Sequence, residues 1–309
     1  MPSPSLLPIL PSPPTGRTGW PWTVETALPA DLSGVAWPRI TIVMPSFQQA
    51  TFVEEGLRSV LLQNYPNLEF IVNDGGSQDG SAGIIAHYAA FLAHTQTAPD
   101  RGQGDAINQG FDRATGDIVG WLNSDDLYLP GTLFAVARAF LGRDAPDIVY
   151  GDALNLFEED NRSLQYWQGY WISPSFLQFG GLFSSHAIFW RRAVHVRLWD
   201  ELNCNIDGEL WRRLVPGRRL RYLLLPLGVC RIHGETKSNA ERWREQWRRD
   251  EERILARYGP PRMGRLFRLW FSRSEKIFKW FTLRRNRAAK LAVIAACQWP
   301  PPRWRGLPP

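Results

Sequence analysis

Two adjacent carboxylates, Asp125 and Asp126, follow an apolar run that ends at Leu122 and stand directly after Asn123 and Ser124. Neighbouring carboxylates repel unless a cation or hydrogen-bond donors hold them, and hard oxygen ligands suit Mg2+ or Mn2+. The same pair fits plainer work, with one acid capping a helix that starts at Leu129 and Pro130 and the other solvated. Asp74, before Gly75 and Gly76, is ordinary turn chemistry when taken alone. Asp207, followed by Gly208, Glu209 and an apolar run, suits the opening of a helix as well as it suits a proton acceptor.

Such groups act together only if the fold delivers them to one place. Between Arg39 and Gly151, short β-branched runs alternate with longer amphipathic ones, the pattern of a parallel sheet covered by helices. The spacing predicts strands at Ile40 to Met44, Leu68 to Val72 and Asp117 to Leu122. It predicts helices at Phe52 to Gln63, from an Asp79 cap to about Ala93, and at Gln103 to Ala114. In open parallel sheets ligands sit outside the carboxyl ends of the strands. The polar clusters Pro45 to Phe47, Asn73 to Ser77 and Asn123 to Asp126 all lie at such ends and are expected to converge.

The order of these motifs carries a resemblance. Residues 40 to 80, then PDRGQGDAINQGF at 99 to 111 and ATGDIVGWLNSDD at 114 to 126, resemble the inverting family 2 glycosyltransferases of GT-A fold, nearest to single-domain bacterial enzymes of cell-surface polysaccharide assembly. The resemblance spans Arg39 to Tyr258. It implies an α/β GT-A fold, a mostly parallel central sheet flanked by helices with a C-terminal helical extension, and transfer from a nucleoside diphosphate sugar, a UDP-sugar first of all.

Carried over residue by residue, it implies that Pro45, Ser46 and Phe47 border the nucleotide, that Asp74 bonds the base and that Asp100 closes the pocket. Asp105 and Asn108 fall beside the donor. Asn123, Ser124 and Asp125 occupy the place of the DxD motif, with Asp125 binding the metal and Asn123 replacing the first acid. Asp207 matches the general base. His233, in CRIHG, matches a late histidine that reaches the metal or the diphosphate, and Arg231 or Lys237 could neutralise phosphate. His186 falls where family members approach the acceptor, although Phe183, Ile188, Phe189 and Trp190 around it read as packing. The implied cofactor is Mn2+ or Mg2+. No Gln-x-x-Arg-Trp segment of processive synthases is present, so transfer of one residue per acceptor is expected.

Composition limits the rivals. The chain has 309 residues with 36 Lys and Arg against 30 Asp and Glu, a formal charge of +6. Residues 260 to 309 hold 12 of the bases and one acid, so a −5 body is joined to a +11 tail. Only Cys204, Cys230 and Cys297 are present, far apart and odd in number, which argues against an extracellular disulfide framework and against a Cys-built zinc site. No apolar run reaches the roughly 18 residues of a membrane span. Nine of 24 prolines fall in the first 38 residues, which predicts a disordered or loosely packed arm at 1–38 before the catalytic domain at 39–258.

In the tail, 259–309, Met263, Leu266, Phe267, Trp270, Ile277, Phe278 and Phe281 follow helical spacing among basic residues. The expected partner of residues 262–290 is an anionic membrane surface, with a helix docked on the body as the competing reading and nucleic acid not expected. The expected acceptor is a lipid-linked or polysaccharide glycan at the inner face of the cell membrane. A nucleotidyltransferase would be expected to carry a Gly-rich basic loop where this chain has Pro45 to Gln49. A sugar-nucleotide-binding protein without activity is the other alternative, motivated by Asn123.

Overall fold

The computed structural model describes residues 5–30, 34–160, 162–167, 183–237, 241–259 and 284–306. The β-branched run at the start of the catalytic region forms β1 (Ile40–Ser46), which pairs in parallel with β2 (Leu68–Asp74) and β4 (Ile118–Trp121). A short edge strand that the sequence pattern misses, β3 (His94–Thr97), pairs with β2. The helix expected to reach Ala93 stops earlier, as α2 (Ser81–His87) and a 3-10 turn, because the chain must turn back to supply this strand. Asp79 accepts the Ser81 amide at 3.0 Å, as a cap should.

Beyond β4 the character of the sheet changes. The strand order is β3-β2-β1-β4-β8-β6-β9-β5, with β7 (Ser163–Trp167) attached to β6 (Ile148–Phe157). β8 (Ile188–Arg191) runs antiparallel to both β4 and β6, and β9 (Leu220–Ile232) runs parallel to β6. The parallel part is therefore the first four strands together with the β6–β9 pair. β5 (Leu127–Tyr128) is antiparallel to β9 and ends just before the helix start expected at Leu129 and Pro130; the helix α4 (Thr132–Phe140) begins only after Gly131, whose φ of 80° suits glycine.

The two faces of the sheet carry separate cores. On one, α1 (Val53–Leu61) buries Val53, Leu57, Val60 and Leu61, the stripe its 3.6-residue period predicts, together with α4. On the other, α3 (Gln103–Arg113) and α5 (Ile206–Leu214) enclose Val43, Ile107, Trp121, Trp190 and Trp211. α3 lies close on β1 because Gly110 has no side chain: a Cβ there would stand 2.3 Å from Val43. The last helix of the body is α6 (Arg244–Tyr258).

The arm differs from the expectation of looseness. Trp20 is fully buried and donates its indole N–H to the Tyr128 carbonyl at 2.8 Å. The buried Arg58 guanidinium donates to the carbonyls of Pro11, Pro21 and Trp22. The arm has no apolar period to read, but single tryptophans anchor it, and one arginine satisfies carbonyls that proline-rich backbone leaves without ladder partners.

The tail also joins the body. α7 (Arg287–Ala296) buries Lys290 against Asp152 at 3.4 Å, and Trp299 donates to the Trp20 carbonyl at 2.6 Å. The C-terminal end of the segment expected to face a membrane is thus turned into the fold, because a buried carboxylate on β6 takes its charge. The amphipathic stretch from Met263 to Phe281 lies outside the described residues.

Candidate active site

The carboxyl ends of β1, β4 and β9 open on one cavity of about 1610 Å³. Pro45, Ser46, Phe47, Gly75, Asp100, Asn123, Ser124, Asp125 and Asp126 line it, and Asp207, at the start of α5, lines its far part. The convergence expected of the strand ends is what the sheet produces.

From the cavity wall Asp125 meets His233, with Oδ2 and Nε2 3.2 Å apart. His233 follows the last residue of β9, its ring lies 4.6 Å from the Phe52 ring, and its Nδ1 receives the Glu235 amide at 3.3 Å. Two ligands on one Mg2+ or Mn2+ ion at bonds of about 2.1 Å stand roughly 3 Å apart, so a carboxylate and an imidazole at this separation fit a divalent cation. Ser46 adds a buried hydroxyl on the same wall that has no protein partner among the described residues.

Asp126 works differently from its neighbour. It is buried, and Oδ1 accepts the Arg231 amide at 3.0 Å while Oδ2 accepts Asn123 Nδ2 at 3.3 Å. Burial and the nearby Asp125 push its carboxyl well above the usual range. Asn123 also accepts from Gln103 Nε2 at 2.7 Å. An aspartate at 123 could not donate to Asp126 and would repel it, which gives the missing first acid a physical reason.

The two basic residues considered for phosphate separate. Arg231 is buried, with a nitrogen 2.8 Å from Glu55 Oε2, a second ion pair to Glu158, and the Asp125 carbonyl accepting from Nε at 2.8 Å. Burial alone would depress its guanidinium, but Glu55 and Glu158 override that and raise it. Its charge is matched by these acids. Lys237 lies on the cavity wall and, among the described residues, donates to neutral acceptors, Gln103 Oε1 at 2.9 Å and the Asn203 carbonyl at 3.0 Å. Burial lowers its pKa.

Asp207 sits in the first turn of α5, as a helix-opening residue should, while Asn205 takes the cap position. Its Oδ1 accepts the Gly208 amide at 2.8 Å, and burial raises its carboxyl above the ordinary range. Asp100 is raised likewise, by burial and by repulsion from Asp105 and Asp74, while the Gly102 amide opposes the shift. His186, buried on the wall beside Asp126, is pushed down to about 4 by burial.

Three residues expected to touch the donor are committed elsewhere. Asp74 is buried and accepts the Gly76 and Ser77 amides at 3.1 and 2.8 Å and the Ser77 hydroxyl at 2.7 Å. Ser77 Oγ in turn receives the Gln48 amide, so Asp74 shapes the loop after β1. Asp105 holds Arg101 at 2.8 Å and accepts from Gln109. Asn108 exchanges both of its bonds with the backbone of Leu198. In each case the turn or helix around the residue supplies donors at closer range than the cavity.

Gln103, which ties Asn123 to Lys237, is the polar residue that sequence reasoning passed over. Its only signal is its place between two glycines at the start of α3.

A family model described as Glycosyl transferase family 2 matches residues 41–195. A PGL/p-HBAD biosynthesis glycosyltransferase of Mycobacterium bovis BCG is 34% identical over 167 residues, 52% of this chain and 62% of that protein. An uncharacterized glycosyltransferase of Rickettsia typhi is 28% identical over 129 residues, 42% of this chain and 40% of that one. The chain thus spans less than two thirds of the length of these curated relatives. Among solved structures, Staphylococcus aureus TarS 1-349 in complex with UDP-GlcNAc is similar with a TM-score of 0.55 at 18% identity, over 70% of this chain and 66% of that one. The mannosyltransferase PcManGT of Pyrobaculum calidifontis, in complex with GDP-Man and Mn2+, is similar with a TM-score of 0.52 at 20% identity, over 84% and 74%. Both structural likenesses are likenesses of fold.

Proposed function

The chain belongs to glycosyl transferase family 2 and has the GT-A fold, and from that premise we propose that it moves a sugar from a nucleoside diphosphate sugar to a hydroxyl of a glycan acceptor, with inversion at the anomeric carbon. The observation that carries this reading is the 3.2 Å pairing of His233 with Asp125, which lines the same cavity as Lys237 and Asp207.

Asp207 is the base in this reading. Its carboxylate takes the proton of the acceptor hydroxyl as that oxygen bonds to the anomeric carbon. The bond from that carbon to the diphosphate oxygen breaks, and the nucleoside diphosphate leaves. Lys237 sets its ammonium against the departing diphosphate. Ser46, Phe47 and Asp100 border the nucleotide, and the Ser46 hydroxyl has a hydrogen bond to offer it. A Mn2+ or Mg2+ ion held by Asp125 and His233 would supply Lewis-acid stabilisation of charge on the diphosphate oxygens.

A UDP-sugar is the first donor to test, since TarS was solved with UDP-GlcNAc; GDP-Man, bound in PcManGT, is the second. The mycobacterial relative is named for a biosynthetic role, which supports an acceptor that is being built. A lipid-linked acceptor at the inner face of the cell membrane, and a membrane contact through the basic residues before α7, complete the proposal. Among the described residues no helix is long and apolar enough to cross a membrane.

Thermal unfolding with Mn2+ and a panel of UDP- and GDP-sugars tests the donor site. One donor should raise the melting temperature only with the metal present, and Asp125→Ala should abolish the shift. If no sugar nucleotide stabilises the wild type with Mn2+, the reading is rejected.

A further inference from the structure

Beside the Asp125–His233 pair, a different set of side chains comes together that the transfer reaction does not use. Asp126 follows β4, His186 lies in the turn before β8, and Cys230 lies near the end of β9. One ligand atom from each, a carboxylate oxygen, an imidazole nitrogen and a thiol sulfur, lies within 4.8 Å of the other two. His186 Nδ1 and Asp126 Oδ2 are 3.6 Å apart. All three residues line the cavity.

We propose that Asp126, His186 and Cys230 form a second cation site, separate from the Asp125–His233 pair, that takes a thiophilic divalent ion of the zinc class.

The chemistry of the donors selects the ion. A thiol and an imidazole are the ligands that Zn2+ and Co2+ prefer and that Mg2+ and Mn2+ use poorly. At Zn–N, Zn–O and Zn–S bonds of about 2.0 to 2.3 Å, tetrahedral ligand atoms stand roughly 3.3 to 3.6 Å apart. The Asp126–His186 separation already has that size, and the widest pair needs to close by about 1 Å.

Charge favours the same occupant. Asp126 and His186 are 3% and 4% exposed, and an uncompensated anion is costly at such a place. A carboxylate and a thiolate carry two negative charges and a neutral imidazole carries none, so one divalent ion leaves the buried cluster neutral. Its binding releases the thiol proton to solvent.

The packing around the cluster is specific. His186 comes this close because residue 228 of β9 is glycine: a Cβ there would stand 2.3 Å from the His186 carbonyl and 3.0 Å from its ring. The other imidazole nitrogen, Nε2, is buried with no protein partner among the described residues. With three protein ligands on the cavity wall, the fourth position of a tetrahedral ion opens toward the cavity, as it does in sites that keep an exchangeable ligand.

Titration of the full chain with Co2+ tests this directly, because a Co2+–thiolate bond gives a near-ultraviolet charge-transfer band that oxygen and nitrogen ligands do not. The wild type should develop the band to a stoichiometry of one per chain. Cys230→Ser and His186→Ala, each checked for native circular dichroism, should lose it. Asp125→Asn and Cys204→Ser should keep it, and added Zn2+ should remove it by displacement. Absence of the band in the wild type overturns the proposal. So does a band that survives Cys230→Ser, or one that disappears with Asp125→Asn, which would assign the ion to the donor site. The Co2+ band is read without donor or turnover, so failure of the transferase reading leaves this result interpretable.

Discussion

Asp125 and His233, 108 residues apart in the chain, meet at 3.2 Å because β4 and β9 end at the same edge of one cavity. Each strand runs apolar residues through the sheet and releases a polar segment at its carboxyl end. The pairing is therefore a product of strand length and register as much as of the two residues themselves.

Removing either partner should separate binding of the metal-dependent donor from folding. Asp125→Ala and His233→Ala are expected to lower kcat/KM by about 100-fold or more with Mn2+, with little loss of stability for Asp125→Ala because that side chain reaches the cavity. Steady-state kinetics alongside urea melts measure both, and wild-type kinetics in either variant would remove that residue from the site.

Arg231 and Lys237 should behave oppositely. Arg231→Met leaves Glu55 and Glu158 with the more exposed Arg162 in place of their buried cation, a loss of about 3 kcal/mol in chemical denaturation. Lys237→Met should leave stability nearly intact and raise the donor KM by about 10- to 100-fold, the worth of a charged hydrogen bond. A destabilised Lys237→Met with unchanged KM would reverse the assignment.

The pH profile follows from Asp207. Burial raises its carboxyl, and a base must be ionised, so kcat/KM should climb with pH through a value above the roughly 3.9 of free aspartate. The folded state holds this proton more tightly than the unfolded one. The stability it contributes is thus full below the unfolded value and lost as pH rises through the folded one. Asp207→Asn should escape that loss and be at least as stable as the wild type at pH 7. Urea melts at pH 5 and pH 7 check the sign, and a wild type whose advantage over the variant grows with pH would contradict it.

The N-terminal arm should prove structural. Trp20→Ala empties a fully buried indole site and is expected to cost about 3–5 kcal/mol, and deletion of residues 1–38 should cost more. A truncated chain with the full-length melting temperature would show the packing to be dispensable.

What the residues reveal on their own is local. The β-branched run of β1 and the apolar stripe of α1 carry their periods openly, and the polar segments after β1 and β4 announce the cavity. Asp74 reads as turn chemistry from its two following glycines, and its geometry in the fold is that of a turn. His233 has no period and gains meaning only through resemblance. The burial of Trp20 and of Lys290 depends on Tyr128 and Asp152, more than a hundred residues away in each case, and nothing near either residue signals the partner. The separate duties of Asp125 and Asp126 are equally hidden, since adjacent carboxylates look alike until one is enclosed and bonded to Arg231 and Asn123.

The central claim is a single displacement with Asp207 as base, and the most direct measurement is release of nucleoside diphosphate from a stabilising sugar nucleotide in the presence of Mn2+ and an acceptor glycan. Wild type and Asp207→Asn are compared, and the anomeric configuration of the product is read by NMR. The account predicts release by the wild type with an inverted anomer, and a turnover about 100- to 10,000-fold lower in Asp207→Asn with donor binding retained. An Asp207→Asn variant that turns over like the wild type, or a product with retained configuration, would contradict it.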